Sequence, residues 1–430
     1  MTVPARTRGV GAGLLLVSLA GIAQAAGIVA DGGTATSVST AANGHQTVAI
    51  APATGGVSHN TYSSFNVSSA GADLNNTGIN ARTIVNEVTS TNPSLVQGAI
   101  AVLGPRANVI LANPNGITVD GGSFVNAGHV VLSTGQVSFS DLTLSPGNIQ
   151  RNVVLATSGG TITIGPGGLS GTLVNLDLVA KRLAVNGPVT NSFTSSAGGV
   201  RATIGSSTTT WDTGFSPSDN GHDWLIGTTT PGSAASGLAV DITAAGGLTG
   251  GRVQLIVTDQ GAGVRNLGRL YASAGDVVVS STGDITTVDG SIRAEHDVAI
   301  TTPGAVSLQG AQMTAANSVT VKAGTIALSD DATGPSTLAA AAGSVSLTAA
   351  GDISNTGSVI QAGGVAADGT ATGGNVTLTA GGSITNRSTH ENLGIVFAAN
   401  GDAQLTAVRA PSRTPVQIGQ HLGLTTWIGY

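Results

Sequence analysis

Apolar residues recur at three regular positions in each repeat of the second half of the chain. At the first position, two apolar residues flank one residue that is usually small or polar. A Gly-x-apolar step follows about seven residues later, and a third apolar position follows after about seven more. The first three copies begin 21 residues apart, and the next two intervals are 26 and 31 residues. The five copies begin at Asp276, Asp297, Ser318, Ser344 and Asn375.

Three apolar positions in 21 residues predict three short strands in each turn of a coil. Alternation along each strand places valine and isoleucine inside and serine, threonine and asparagine in solvent. The sequence therefore predicts an all-β fold, a right-handed parallel β-helix with three faces per coil and an N-terminal cap within residues 27–60. The chain without its signal peptide is expected to form roughly 15 to 18 coils, and hence a rod roughly 70 to 85 Å long at ~4.8 Å per coil. A flexible Gly/Ser-rich tail is the alternative, but the regular apolar register disfavours it.

The first half shows a related spacing, with apolar residues every seven positions. Ile110, Ile117, Phe124 and Val131 follow this spacing and are predicted to face inward. Between two of them lies Asn113-Pro114-Asn115-Gly116. Proline fixes φ at the first turn position, and asparagine and glycine tolerate the left-handed region after it. This segment is predicted to form a corner between two faces, with positive φ required at or near Asn115.

The first residues predict export. Arg6 and Arg8 precede a short apolar run over residues 10–22, which ends in Ala23-Gln24-Ala25. A basic start, an apolar run of this length and an A-x-A site are typical of a cleavable signal peptide. The sequence therefore predicts a signal peptide over residues 1–25, handled by the general secretion machinery and cut between Ala25 and Ala26. The run is too short for a spanning helix, which needs about 20 residues.

Composition narrows the classes of function. Charged residues make up 9% of the chain, against about 25% in an ordinary soluble domain. In a parallel β-helix a charge would lie opposite its copy in the next coil, so a neutral exterior is favoured. The net charge of −6 makes nucleic acid a poor partner. With 3 Trp, 3 Tyr and 6 Phe, the chain lacks the aromatic girdles of a transmembrane barrel.

Few residues suggest catalysis or metal binding. The seven histidines do not follow the spacing of metal ligands along the chain, and no phosphate-binding loop is present, so no metal or cofactor is predicted. Some β-helices degrade polysaccharides with several carboxylates on one face. Asp276 and Asp297 stack one coil apart, but the later copies begin with serine or asparagine. The sequence predicts that the protein is not an enzyme. Structural Ca²⁺ at Asp330-Asp331 or beside Asp276 is the alternative.

Several segments of the first 290 residues closely resemble the N-terminal secretion domain of the filamentous haemagglutinin family. These proteins are the exported partners of two-partner secretion systems. The matching segments are residues 57–67, 74–76, 84–88, 92–95, 104–107, 112–117, 177–181 and 261–266. Their order and spacing, rather than any one of them, carry the resemblance, and the later coils are similar to the family's haemagglutinin repeats.

The resemblance implies recognition by an outer-membrane β-barrel transporter with periplasmic peptide-binding domains. Two motifs of the family are linked to secretion. One is intact here, whereas the other has serine in place of its second asparagine. Whether the asparagines contact the transporter or only form the turn stays open. The residues are Asn113, Pro114, Asn115, Gly116 and Ile117 in the first motif, and Asn92, Pro93, Ser94 and Leu95 in the second.

The predicted organisation has four parts. Residues 1–25 form the signal peptide, 26–290 the two-partner secretion domain, 291–400 the haemagglutinin-type repeats, and 401–430 a tail of uncertain role. The predicted protein is secreted or held at the surface of a Gram-negative cell, and it acts as an adhesin or haemagglutinin toward a host-cell or glycan receptor. Three alternatives are the export module of a longer or truncated adhesin, a secreted haem-binding protein or cytolysin, and a polysaccharide-degrading β-helix.

Overall fold

The computed structural model describes residues 27–408, and the regular secondary structure in this range consists of β-strands alone. The predicted signal peptide, its cleavage position at Ala23, Ala25 and Ala26, and residues 409–430 of the predicted tail lie outside the described residues. Within residues 27–408, no helix is long and apolar enough to span a membrane.

Three sheets wind around one apolar core and form a right-handed parallel β-helix, as predicted. We call the sheets face one, face two and face three, in the order in which each coil visits them. The strands of face one are Val29–Ala30, Val57–Ser64, Thr83–Val88, Ala107–Ala112, Ala127–Ser133, Asn175–Ala180, Gly199–Ile204, Arg252–Val257, Val277–Ser280, Val298–Thr301, Val319–Ala323, Val345–Ala349, Val376–Ala380 and Ala403–Ala407.

Face two has 11 strands among the described residues, and face three has 14. The strands of face two are Ser94–Val96, Ile117–Val119, Thr161–Ile164, Arg182–Val185, Leu238–Ile242, Gly263–Asn266, Ile285–Val288, Ala305–Gln309, Thr325–Ser329, Ile353–Thr356 and Ile384–Arg387. Those of face three are Ser37–Thr40, Gln46–Ala49, Ala72–Asn75, Ala99–Leu103, Gly122–Val125, Leu169–Gly171, Pro188–Asn191, Gly247–Gly250, Arg269–Ala272, Ser291–Ala294, Gln312–Ala315, Thr337–Ala340, Val359–Ala362 and Ile395–Ala398.

The three apolar positions of the repeat occupy the three faces, each in unbroken register. Each position is buried in every coil of the repeat, so the predicted inward residues form three continuous columns. The columns are Val277, Val298, Val319, Val345 and Val376 on face one, Ile285, Val306, Ile326, Ile353 and Ile384 on face two, and Ile292, Met313, Leu338 and Ile360 on face three.

The residue that begins each repeat makes the same hydrogen bond in every coil, and we call this series the corner ladder. Its side-chain oxygen accepts the backbone N–H of the equivalent residue in the next coil, at 2.8–3.1 Å. The corner ladder runs through Asp276, Asp297, Ser318, Ser344, Asn375 and Asp402. A short side chain with an oxygen acceptor suffices for this bond, which explains why aspartate, serine and asparagine alternate there.

A cap covers the first coil, as predicted. Strands Ser37–Thr40 and Gln46–Ala49 form an antiparallel hairpin at the end of face three. Val29–Ala30 pairs antiparallel with Val57–Ser64 at the end of face one. The Asp31 carboxylate accepts hydrogen bonds from the hydroxyls of Thr61, at 2.5 Å, and Thr89, at 2.7 Å. The cap therefore closes the sheet edges that would otherwise be open to aggregation.

A fourth, antiparallel sheet packs on the outside of face one, and the apolar pattern did not predict it. Its strands are Gln136–Ser145, Asn148–Thr157, Ser207–Trp211 and Leu225–Thr229. It buries a second apolar cluster that includes Ile110, Val131 and Trp211. The prediction that Ile110 and Val131 face inward was therefore wrong, although Ile117 and Phe124 do lie in the main core. The neighbours of Ile110 and Val131 along each strand face the core instead.

The coil number is lower than predicted. Within residues 27–408, face one contains 13 parallel strands, so the helix has 13 coils in place of roughly 15 to 18. The cap and the fourth sheet use residues that the prediction assigned to coils. Loops at residues 330–336 and 363–375 lengthen two of the later coils.

Candidate functional site

Residues 113–116 form the predicted corner, and they lie between face one and face two. The Gly116 N–H donates to the Asn113 carbonyl at 3.1 Å, which closes the turn. Gly116 has a φ of +114°, and a Cβ there would lie 3.1 Å from the Thr161 carbonyl oxygen. Asn115 lies outside the positive-φ region, so the expectation of positive φ at Asn115 was wrong. Glycine meets the conformational requirement of this corner.

Asn113 joins the two motifs, which lie in adjacent coils. Its side chain is fully buried, and its Nδ2 donates to the Asn92 carbonyl and to Ser94 Oγ, both at 2.9 Å. Its Oδ1 accepts the Asn115 backbone N–H at 3.0 Å. Ile117 pairs in register with Ser94 on face two. Residues 92–95 and 113–117 therefore form one continuous surface, which we call the Asn-Pro corner.

The Asn-Pro corner has an exposed rim and a buried base. Asn92, Pro93 and Asn115 are exposed, whereas Pro114 and Leu95 are half-buried. Asn115 Nδ2 donates to the Ser90 carbonyl at 2.7 Å, and Asn92 Nδ2 donates to the Ser63 carbonyl at 3.1 Å. The base consists of Asn113, Ser94, Gly116 and Ile117, all of which are buried. The exposed amides are thus held in fixed positions by neighbouring backbone.

The cap and the Asn-Pro corner are connected through one short segment. Thr89 hydrogen-bonds Asp31 in the cap, and Ser90, the next residue, accepts from Asn115. Burial alone would raise the pKa of Asp31, but hydrogen bonds from Thr61, Thr89 and the Gly33 N–H lower it overall. The Asp31 carboxylate therefore stays charged near neutral pH and holds this segment in place.

A buried ionic cluster fixes the fourth sheet to face one. Arg201 Nε lies 2.6 Å from Asp177, and its two terminal nitrogens lie 2.6 and 3.1 Å from the Asp223 carboxylate. Trp224 Nε1 donates to Asp177 at 3.2 Å, and the His129 ring lies 4.8 Å from the Trp224 ring. Burial alone would lower the pKa of Arg201, but the charges of Asp177 and Asp223 raise it overall. Burial also lowers the pKa of His129.

Sequence reasoning missed this ionic cluster. Asp177 belongs to one of the segments that carry the family resemblance, but its partners lie far from it along the chain. Arg201 follows it by one coil, and Asp223 lies on the loop between two strands of the fourth sheet. Neither distance follows the 21-residue spacing of the repeat, so no periodic signal connects the three residues.

A second ionic group lies at the start of the corner ladder. His296 Nδ1 is 2.7 Å from Asp276 Oδ1 and 3.2 Å from Asp297 Oδ2. Asp330 and Asp331, the other pair considered for Ca²⁺, accept hydrogen bonds from residues of nearby loops. Asp330 accepts from the Thr389 hydroxyl and the Asn392 amide, and Asp331 accepts from Thr333.

Comparisons with known proteins assign the chain to one family. The profile described as the TPS secretion domain matches residues 26–287. Toxin CdiA of Yersinia pestis is 32% identical over 323 residues, which are 69% of this chain and 9% of the toxin. Filamentous hemagglutinin of Bordetella pertussis is 32% identical over 300 residues, 64% of this chain and 8% of that protein. The chain thus spans less than a tenth of the length of these curated relatives.

A solved structure extends the similarity to three dimensions. The crystal structure of the filamentous hemagglutinin secretion domain matches with a TM-score of 0.57 and 30% sequence identity. The match covers 70% of this chain and 100% of that one.

Proposed function

The chain belongs to the TPS secretion domain family, and we propose that a partner transporter in the outer membrane recognises its Asn-Pro corner during export. Proteins with this domain are exported by two-partner secretion, and this one is secreted or exposed at the cell surface. The matched region is a secretion domain of haemagglutinin-type proteins.

One observation supports the Asn-Pro corner as the recognised surface. Asn113 holds both motifs together from below, while Asn92, Pro93 and Asn115 face solvent above it. Two exposed amides held by neighbouring backbone offer hydrogen-bond donors and acceptors at fixed positions, which suits specific recognition of another polypeptide. We propose that periplasmic peptide-binding domains of the transporter make this contact.

The experiment must separate recognition from stability, and the chain provides a matched control. Asn191 is also a buried asparagine with four side-chain hydrogen bonds, but it lies at another corner. Asn113→Ala leaves the buried Ser94 hydroxyl without this partner, and Asn191→Ala leaves buried backbone groups of Leu173 and Gly199 without theirs. An unpaired buried group costs about 1–3 kcal/mol. We expect both variants to lower the unfolding midpoint, but only Asn113→Ala to abolish secretion into the medium when the transporter is co-expressed.

Surface variants complete the test. Asn115→Ala and Pro93→Ala alter the exposed rim and leave Asn113 in place, so we expect near-normal stability and reduced secretion. Secretion of the wild type and of all four variants is measured in culture supernatants, with and without the transporter gene. Equal loss of secretion in Asn113→Ala and Asn191→Ala, with normal secretion of the rim variants, would show that the corner has only a structural role. Secretion of the wild type without the transporter would contradict the export assignment itself.

We further propose that the exported protein is an adhesin of the haemagglutinin type. Its similarity to filamentous hemagglutinin supports this activity, although the shared region is 8% of that protein. The division into a secretion domain over residues 26–290, repeats over 291–400 and a tail over 401–430 stays a prediction. We expect the purified chain to bind host cells or immobilised glycans in a pull-down assay. Efficient export without such binding would favour an export module whose activity resides in further sequence.

A further inference from the structure

The corner ladder begins with two stacked carboxylates, which is unusual in a helix that avoids charge. Asp276 and Asp297 occupy equivalent positions in adjacent coils, because the strands that follow them pair in register from Val277 and Val298. Like charges opposed across neighbouring strands destabilise a sheet. The next three members of the corner ladder are Ser318, Ser344 and Asn375, so Asp276 and Asp297 are its one pair of consecutive carboxylates. A cation between the two carboxylates would remove the repulsion.

His296 supplies a third ligand atom between the two carboxylates. Its Nδ1 lies 2.7 Å from Asp276 Oδ1 and 3.2 Å from Asp297 Oδ2. Within residues 27–408, this is the group in which three such ligand atoms lie within 4.8 Å of one another. An imidazole nitrogen that faces two carboxylates either carries a hydrogen that it donates to them or binds a metal ion that they share.

The corner ladder holds these groups in place without using all their oxygens. Asp276 Oδ1 accepts the Asp297 N–H, and Asp297 Oδ1 accepts the Ser318 N–H and the Asn317 amide. Asp276 Oδ1 is also the oxygen that faces His296 Nδ1, whereas Asp297 uses its second oxygen, Oδ2, for the imidazole. The backbone therefore fixes Oδ1 of each aspartate, which orients both carboxylates toward His296.

We propose that Asp276, His296 and Asp297 form a binding site for a divalent transition metal ion, with Zn²⁺ as the best fit. Ligand atoms around a tetrahedral Zn²⁺ with bonds of about 2.0 Å are roughly 3.3 Å apart. Both N···O distances, 2.7 and 3.2 Å, are shorter than this value, so the ligand atoms must move apart by up to about 0.6 Å to admit the ion. Imidazole with carboxylates suits Zn²⁺, Cu²⁺ or Ni²⁺, whereas Ca²⁺ takes six to eight oxygens. Water would complete the coordination.

The site would connect the secretion domain to the coils that follow it. Asp276 lies inside the region matched by the family profile, and His296 and Asp297 lie beyond its end at residue 287. A metal ion shared between these coils would stabilise their pairing, because it binds only when both are folded. This inference is independent of the proposed recognition of the Asn-Pro corner.

The chain itself suggests variants that remove ligands and retain the fold. Asn375 accepts the next coil's N–H at 2.9 Å, so asparagine serves the corner ladder as aspartate does. Asp276→Asn and Asp297→Asn should therefore keep the backbone bonds while removing a charged ligand. His296→Ala removes the nitrogen. His222→Ala is the matched control, because His222 lies 2.9 Å from a single carboxylate, that of Asp219.

The probe is Zn²⁺ alone, titrated calorimetrically into the metal-free full chain near neutral pH. We expect one site in the wild type and in His222→Ala, at least about tenfold weaker binding in each asparagine variant, and loss of the site in His296→Ala. Ca²⁺ should not compete at equal concentration. An unchanged titration in all three ligand variants, or no binding by the wild type, would overturn the proposal.

Discussion

Replacing Val319 by aspartate is expected to destabilise the β-helix severely, whereas the same change at Thr320 should be tolerated. Val319 is fully buried in the face-one column and pairs with Val298 and Val345. An aspartate there has no cation or donor, and an uncompensated buried charge costs about 3–5 kcal/mol. Thr320 points outward between Ala299 and Ser346, so a carboxylate there meets no like charge.

The two Val319 and Thr320 variants are compared by urea unfolding followed by circular dichroism. We expect a large fall in midpoint for Val319→Asp and a change within about 0.5 kcal/mol for Thr320→Asp. The two residues are neighbours in one strand, so strand propensity and loop effects cancel in the comparison. Equal losses, or the reverse order, would contradict the inward register of face one.

Removing the guanidinium of Arg201 is expected to have the second large effect. Arg201→Leu leaves Asp177, which is 1% exposed, without its positive partner. Breaking a buried pair in this way costs about 3–5 kcal/mol. The fourth sheet should detach first, because Asp223 would lose its link to face one and only the Trp224 hydrogen bond to Asp177 would remain of this cluster. Trp211 and Trp224 lie in this region and report the loss by fluorescence.

Two further variants test the explanation for Arg201. Arg265 makes a similar two-bond pair with Asp241, but on the exposed surface, so Arg265→Leu should cost no more than about 1 kcal/mol. Replacing Asp177 by leucine in the Arg201→Leu protein removes the unpaired charge as well. We expect this double variant to recover much of the lost stability. Failure to recover would mean that the arginine acts mainly through packing.

The repeat pattern predicted the coils because three columns of apolar residues carry the register directly. Val277, Ile285 and Ile292 each belong to a column that repeats without interruption, and local alternation determines which side chains face inward. The fold class and the cap could therefore be predicted from the sequence. The corner at residues 113–116 could be located as well, because proline and glycine mark turns.

The fourth sheet could not be predicted from the apolar pattern. It covers part of the outer side of face one, so the strands beneath it are buried on both sides and lose the alternation of apolar and polar residues. A strand that is buried on both sides is a nearly continuous apolar run, and Ile110 and Val131 then appear to be ordinary core residues. The Arg201 cluster was missed for another reason. Its members come from adjacent coils and from an inserted loop, so linear spacing does not show that they meet. The 21-residue spacing did place Asp276 beside Asp297, but it did not indicate that His296 joins them. The role of Asn115 was misjudged because the neighbouring glycine takes the positive φ.

The corner ladder also bears on how such a chain can change in length during evolution. Each coil presents one oxygen acceptor to its successor and one N–H to its predecessor, so consecutive coils have interchangeable junctions. A duplicated or deleted unit of 21 residues restores the same junction at both ends. Inserted loops leave this junction intact. The loop at residues 330–336 lies at another corner, and the loop at 363–375 ends at the ladder's own corner, where Asn375 still donates to Ser344. Proteins of this architecture can therefore become longer by duplication of a coil, or shorter by deletion of one, while the remaining coils keep their contacts.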